Sequence, residues 1–461
     1  MSKHIIHKNR NGCALHGALK TLNAVDGFAP VIHSSAGCSI QSAQSENLLN
    51  GSNGLHFRGW QESSATDVIE KQVVFGGTSR LREQIKNTVK VLAADLYVVV
   101  TGCAPEIVGD DVTAMVKEAR EQGFPVITAS TPGFKGNVYR GYEWTLKALI
   151  EYISPFHQPQ SIEKGLVNIL GVVPKQDLFW EGNLDELENT LSLIGLQANK
   201  LFGYHQNIDN WRKIPNAELN LVVSPWGLEA ALLLEKKFGT PYLYYGYIPA
   251  GATDSTELLK QLGEKLNIEE TVILEKAEQE ADRLGYHLQK IAQTYLRYDL
   301  QKEIILVGET SNIVGLTRFL QNSFGQLVKA VIITDHPAEE LRDSITESLN
   351  ENSEYLTRVF YETDGREINR IIIDLKPEVI LASELESPVS RKLNVPLLKI
   401  STPVHLKPFL QYSYAGYRGV IHLIQDFSEV VLNHSAKEKK REKKEDKILF
   451  PNDELKTIFT N

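Results

Sequence analysis

The sequence predicts an α/β protein with mainly parallel sheets, arranged as three Rossmann-like domains. Short β-branched runs alternate with longer amphipathic stretches over the whole chain, the pattern of parallel strands covered by helices on both faces. That alternation breaks at two places. A length of 461 residues also exceeds what one hydrophobic core serves, so several domains of ordinary size are expected.

In chain order, the apolar stretch "FAPVIH" runs into a loop, and "DLYVVVTG" (95–102) reads as a buried strand. The helical pattern "DDVTAMVKEAREQG" and the strand "FPVITAS" follow. The first break, around 152–164, is rich in proline and polar residues. A second series comprises "GLVNILGVV" (165–173), "LNLVVS" (219–224) and "TPYLYY" (240–245). A long charged amphipathic segment, roughly 268–301, separates it from a third: "EIILVGE" (303–309), "AVIITD" (330–335), "EVILASE" (378–384) and "PLLKIS" (396–401). The simplest partition places domains at 1–160, 161–298 and 299–435, with a charged tail at 436–461.

Composition narrows the class. A formal charge of −9 argues against a general nucleic-acid binder. No apolar run reaches membrane-spanning length, and "MSKHIIHKNRNGC" has no signal-peptide core, so a cytoplasmic protein is expected. The run "KEKKREKKEDK" at 437–447 mixes both signs and reads as a solvated helix or tail. "VGETSNIVGLTRFL" (307–320) has a strand–turn–helix look, but its glycines do not fit a dinucleotide or phosphate-loop spacing. It reads as a tight turn, in a chain that does not itself hydrolyse ATP.

The chain has only three cysteines: Cys13 in "NGCALHG", Cys38 in "SAGCSI" and Cys103 in "TGCAPEIVGDD". Each follows a glycine. Cys38 and Cys103 come just after apolar strands, at the sheet edge where open α/β proteins place their sites. Glycine beside a ligating cysteine lets backbone approach a bulky inorganic group and point N–H groups at it. Several chemistries compete on these residues. Buried structural thiols are the bland reading. Zinc prefers close cysteine pairs, absent here, and four ligands. A nucleophile needs one cysteine and a base, for which His16 and His33 are near in sequence, but that accounts for one sulfur. An iron–sulfur cluster takes thiolates, and three from one chain leave room for ligands from a second.

Five blocks, "GCALHGA", "VIHSSAGC", "KQVVFGGTSRLREQI", "TGCAPEIVGDDV" and "STPGFKGNVYRGYE", resemble the two homologous subunits of nitrogenase component 1 and their relatives among cofactor scaffolds and nitrogenase-like reductases. The resemblance continues through "NLVVSPWG" and "GTPYLYYGYIPAG" to "GYRGVIHLI" (416–424), nearly the whole chain. It implies three Rossmann-like domains per subunit. It also implies a homologous sister subunit and an iron–sulfur cluster at the interface, with Cys13, Cys38 and Cys103 as this chain's thiolate ligands. That cluster is an 8Fe–7S P-cluster in true nitrogenase and can be 4Fe–4S in relatives.

The family's catalytic subunit holds its large cofactor with a later cysteine and a histidine. Here no cysteine follows 103, and Ser224 falls about where that cysteine would. Tyrosines stand in "KPFLQYSYAGYRG" (407–419) where the histidine would, with His405 and His422 nearby. Asn137 takes the place of a serine that approaches the cluster in the molybdenum enzyme. Asn137 implies that serine ligation of the cluster is absent; the missing later cysteine and histidine, with "SPWG" and "IPAG", point to a non-cofactor, beta-type subunit, although "VVFGG" and the cysteine spacing lean toward the other chain. The resemblance therefore implies an electron-relaying subunit. A separate ATP-dependent iron protein would dock on it, and the substrate cofactor would sit in the sister chain. The alternative is a cofactor-assembly scaffold that binds a precursor cluster without turnover.

Overall fold

Strands β1 (Phe28–His33), β2 (Ser64–Ala65), β3 (Leu96–Thr101) and β4 (Val126–Ala129) form a parallel sheet in the order β2-β1-β3-β4. All six residues of β1 and of β3 are buried. That fits their unbroken apolar runs, since both faces of a parallel sheet are covered. The helices of this unit are α1 (Ala14–Leu22), α2 (Ala36–Leu49), α3 (Glu70–Phe75), α4 (Thr78–Val91), α5 (Cys103–Val108), α6 (Val112–Glu121) and α7 (Val138–Ile153). The coordinates are a computed structural model, which describes residues 7–49, 64–153, 161–351, 353, 355–405, 407 and 409–449. Most of the proline-rich break and the last twelve residues of the charged tail lie outside them.

The chain leaves β1 toward the β2 edge and returns to β3 on β1's other side. The β1/β3 boundary is thus the topological switch point, and at its carboxyl end His33 pairs with Thr101. Cys38 and Cys103 follow these two strands.

The second unit carries the parallel sheet β6-β5-β7-β8, from β5 (Glu163–Leu170), β6 (Gln197–Asn199), β7 (Ala217–Val222) and β8 (Tyr242–Tyr244). Its helices are α8 (Trp180–Ser192), α9 (Ile208–Arg212), α10 (Leu228–Phe238) and α11 (Gly251–Leu266), and α12 (Glu270–Arg297) is the long charged segment. The third sheet runs β11-β10-β9-β12-β13, from β9 (Glu303–Gly308), β10 (Leu327–Ile333), β11 (Arg358–Tyr361), β12 (Val379–Ala382) and β13 (Leu397–Lys399), all parallel. It is flanked by α13 (Thr310–Asn322), α14 (Glu339–Asn350), α15 (Gly365–Leu375) and α16 (Ser387–Leu393). Helix α17 (Gly416–Leu449) ends the described chain and takes in the charged run at 437–447. The fold is α/β with three parallel sheets, as expected. Among the described residues no helix is long and apolar enough to cross a membrane.

One apolar core runs through all three units, with smaller ones outside the first and third sheets. Burying each Val, Leu or Ile contributes roughly 1.5–3 kcal/mol of transfer free energy. Within α13, Gly315 lets the helix pack on the chain before α11: a Cβ there would lie 2.2 Å from the Ile248 carbonyl oxygen.

Residues 7–11 lie against the third unit before the chain enters the first. The Lys8 and His7 N–H groups donate to Asp364, and Arg10 forms a buried ion pair with Glu386. Asn11 Nδ2 donates to the Thr334 carbonyl.

The three units meet at a cluster of buried carboxylates. Asp177, Glu309 and Asp335 are all buried there, beside Tyr139 stacked on Trp226. Trp226 Nε1 and Thr310 Oγ1 donate to Asp335, each at 2.8 Å. Ser401 Oγ and Asn312 Nδ2 donate to Glu309 at 2.8 and 2.6 Å. Val173 N–H and Ser311 Oγ donate to Asp177 Oδ2.

Candidate metal centre

Cys13 caps the N-terminus of α1 in extended conformation, φ −84° and ψ 172°. It pairs antiparallel with Asn137, through Ala14 N–H to the Gly136 carbonyl and Val138 N–H to that of Gly12. The cysteine is therefore tied to the "TPGFKG" loop. Helices α1 and α7 then cross at backbone contact. A Cβ on Gly17 would lie 1.9 Å from the Val138 carbonyl oxygen, and one on Gly141 would lie 1.9 Å from that of Ala14. Glycine at both positions brings the Cys13 helix down onto the loop.

That loop forms the floor of the site. A Cβ built on Gly133 would lie 2.8 Å from Cys13 Cβ, 3.2 Å from Cys13 Sγ and 3.4 Å from Cys103 Sγ. Two thiols thus flank a cradle that any side chain would fill. Cys103 is the first residue of α5 and is exposed, while Cys13 and Cys38 are half-buried. Cys38, near the start of α2, accepts from Ser34 Oγ at 3.2 Å, with Ser35 Oγ at 3.7 Å. Gly102 makes room for that serine, since a Cβ there would lie 2.0 Å from Ser34 Oγ.

The glycine before each cysteine does not have one common task. Gly102 yields to Ser34 and Gly12 lies against His16, whereas nothing stands within 4 Å of a Cβ on Gly37. The structure gives no reason for glycine at 37.

Burial pushes the Cys13 thiol above its ordinary pKa. The N–H groups of His16 and Leu15 pull it back, and Cys38 and Cys103 push it up further by like charge. An activated nucleophile needs the opposite shift. A thiol whose ionisation its neighbours oppose is what a cationic metal centre relieves on binding. Among the described residues no three His, Cys, Asp or Glu side chains are close enough to share a single ion. Cys13 and Cys103 beside the Gly133 cradle are donors of the kind that sulfur-rich metal groups take.

His33 is not a base for any thiol. It is fully buried, with Nε2 at 3.0 Å from Asp110 Oδ2 and Nδ1 at 3.0 Å from Thr66 Oγ1. Burial lowers its pKa, and Asp110 opposes the shift. Asp110 Oδ1 also accepts the Gly77 N–H at 2.6 Å, and a Cβ on Gly77 would lie 2.5 Å from Asp110 Oδ2 and 3.1 Å from His33 Cε1. The "FGG" and "GDD" blocks are therefore one device. It ties the strand before Cys38, the start of α4 and the loop after Cys103. His16 is the histidine near a thiol, its Nδ1 3.6 Å from Cys13 Sγ.

The later candidates are engaged elsewhere. Ser224 is buried and donates to the Gly171 carbonyl at 2.6 Å while capping the turn at Pro225–Gly227. Asn137 Oδ1 accepts from the N–H groups of Tyr139 and Arg140, and its Nδ2 donates to the Asp335 carbonyl. Tyr412 and Tyr414 both donate to Asp426, His422 stacks on Tyr412, and His405 lies against Glu384.

Apolar side chains stand in solvent on the elements that hold the cysteines. Ile40 lies on α2, Ile107 (73% exposed) on α5 and Phe134 beside Gly133. Helix α3, which packs on α5, shows Val74 (71%) and Phe75 (82%). Exposed patches of this kind mark interaction surfaces. Sequence reasoning identified the cysteines but not this rim.

The family model for nitrogenase component 1 type oxidoreductases matches residues 13–432. The chain belongs to the nitrogenase component 1 family. It is 24% identical over 451 residues to the nitrogenase molybdenum-iron protein beta chain of Methanothermobacter thermautotrophicus, covering 91% of this chain and 93% of that one. It is 26% identical to a light-independent protochlorophyllide reductase chain of Zygnema circumcarinatum, over 76% of this chain and 70% of that protein. It is also 24% identical to the nitrogenase iron-molybdenum cofactor biosynthesis protein NifE of Clostridium pasteurianum, over 84% and 81%. Among solved structures, nitrogenase Cp1 at pH 6.5 superposes with a TM-score of 0.79 at 20% identity, covering 94% of both chains. This likeness shows the fold. Within the family the chain is beta-like, a nitrogenase-like subunit.

Proposed function

We propose that this chain is the electron-relaying subunit of a nitrogenase-like reductase. In this reading Cys13, Cys38 and Cys103 supply half the ligands of an iron–sulfur cluster, P-cluster type or 4Fe–4S, shared with a homologous sister subunit. The observation that carries it is the pair of thiols flanking the empty Cβ position of Gly133. Such a cluster supplies low-potential electron transfer. This chain's own residues place its sulfurs: α1 and the loop carry Cys13, Ser34 orients Cys38, and α5 carries Cys103. The rim of Ile40, Val74, Phe75, Ile107 and Phe134 is the face the sister chain covers. An ATP-dependent iron protein delivers the electrons, and the sister chain holds the substrate cofactor. Domains at 1–160, 161–298 and 299–435 belong to the same proposal.

The test is anaerobic purification of the complex from its native host, followed by iron and sulfide analysis and EPR. Cys13→Ala, Cys38→Ala and Cys103→Ala should each lose iron while the chain stays folded. A folded, iron-free wild-type complex would overturn the reading. The similarity to NifE supports a second reading, an assembly scaffold. A scaffold complex would contain iron but give no ATP-driven reduction with the iron protein.

A further inference from the structure

The reading above gives the three thiols one task but leaves His16 without one. We propose that His16 donates an Nδ1–H hydrogen bond to the Cys13 sulfur and thereby sets the reduction potential of the cluster. It is a positioning and tuning residue rather than a ligand, and the inference rests on the proposed cluster.

His16 stands three residues after Cys13, on the first turn of α1, so both side chains lie on one side of the helix. The Nδ1–Sγ separation of 3.6 Å is a hydrogen-bond distance for sulfur. Gly12 allows this approach, because a Cβ there would lie only 3.3 Å from Nδ1.

Its surroundings argue against a filler role. Leu15, Ala18, Leu19 and Leu22 make α1 apolar, and His16 is itself only 8% exposed. Its Nε2 is buried with no partner among the described residues. A buried unpaired polar atom is destabilising, a penalty that leucine at 16 would avoid. A neutral imidazole carries one N–H. A thiolate bound to iron only accepts, so Nδ1 is where that proton is useful and Nε2 is left as a bare lone pair. Cys38 has the same provision in Ser34 Oγ, whereas among the described residues no side chain donates to Cys103. Hydrogen bonds to a ligating sulfur stabilise the more negative, reduced cluster and so raise its potential.

The test compares wild type, His16→Leu and His16→Gln in the anaerobically purified complex, reading iron per chain, the EPR spectrum and the midpoint potential. His16→Leu should keep its iron and move to a more negative potential. A tenfold change in the reduced-to-oxidised ratio, about 59 mV for one electron, is the expected shift. His16→Gln, which retains an N–H donor, should stay near wild type. An iron-replete His16→Leu with unchanged potential overturns the inference. If His16→Leu arrives without iron, His16→Gln decides: wild-type iron and potential support the hydrogen bond, and loss or shift overturns it. A wild type without iron instead refutes the cluster reading itself.

Discussion

Gly17 and Gly141 stand where α1 and α7 cross, and each faces the other helix's backbone. A Cβ on either would come within 1.9 Å of a carbonyl oxygen, that of Val138 or of Ala14. Ala14 directly follows Cys13, so this crossing sets the height of the first thiol above the Gly133 cradle. Because the obstruction is backbone rather than a flexible side chain, overpacking here cannot be relieved by a rotamer change. Gly141→Ala is expected to destabilise by about 1–3 kcal/mol or more. It should lower iron occupancy beyond what a core substitution of equal cost elsewhere does. Denaturant unfolding and iron analysis on the same preparation check this, and a fully loaded, equally stable variant would rule it out.

Asp110 is the second anchor. It accepts from Gly77 N–H and faces His33 Nε2, while Thr66 holds the other ring nitrogen. Hydrogen bonds to a charged group contribute about 1.5–3 kcal/mol each. Asp110→Ala should therefore cost roughly that much or more, releasing the start of α4 and the Cys103 loop together. Asp110→Asn keeps an acceptor for Gly77 and should lie between. Thermal melts of the three proteins give the order, and an unchanged Asp110→Ala contradicts it.

The exposed rim predicts a separation of binding from folding. Phe75→Glu and Ile107→Glu sit in solvent in this chain, so its own melting temperature should hardly move. In the complex they would bury a charge in an apolar contact, and disrupting an interface hot spot costs about 2 kcal/mol or more. Size-exclusion chromatography should show the sister subunit lost from both variants. Wild-type co-elution would mean that this face is not the interface.

How much of this was legible in the sequence depends on where the signal lay. The long strands read directly, because β1, β3, β9, β10 and β12 are apolar on both faces. The edge strands β2, β6 and β11 did not, since pieces such as "QAN" have neither length nor apolar alternation. Cys38 and Cys103 were visible as strand-end residues, but the approach of Cys13 to Cys103 was not. It depends on Gly133 and on the α1–α7 crossing, which are contacts between segments far apart in the chain. Glycine–cysteine adjacency looked like one rule and proved to be three local circumstances. His33 drew attention as a possible base, yet its partner, Asp110, lies in another block whose meaning only packing supplies.

The buried junction gives a pH dependence of definite sign. Burial raises the pKa of Asp177, Glu309 and Asp335, and for Asp177 the neighbouring Glu309 and Asp335 charges raise it further. The folded chain therefore holds protons that the unfolded chain releases. Stability from these groups is full below the ordinary carboxylate pKa, about 4, and is lost as pH rises through the raised values. Asp177→Asn removes one titrating group yet keeps an oxygen for the Val173 N–H and Ser311 hydroxyl donors. Between about pH 5 and 8 its melting temperature should fall less steeply than that of wild type, and by the alkaline end it should equal or exceed it. Surface charges are common to both proteins, so the difference in slope isolates the junction. Parallel slopes would show that Asp177 ionises in the folded state as it does in the unfolded chain.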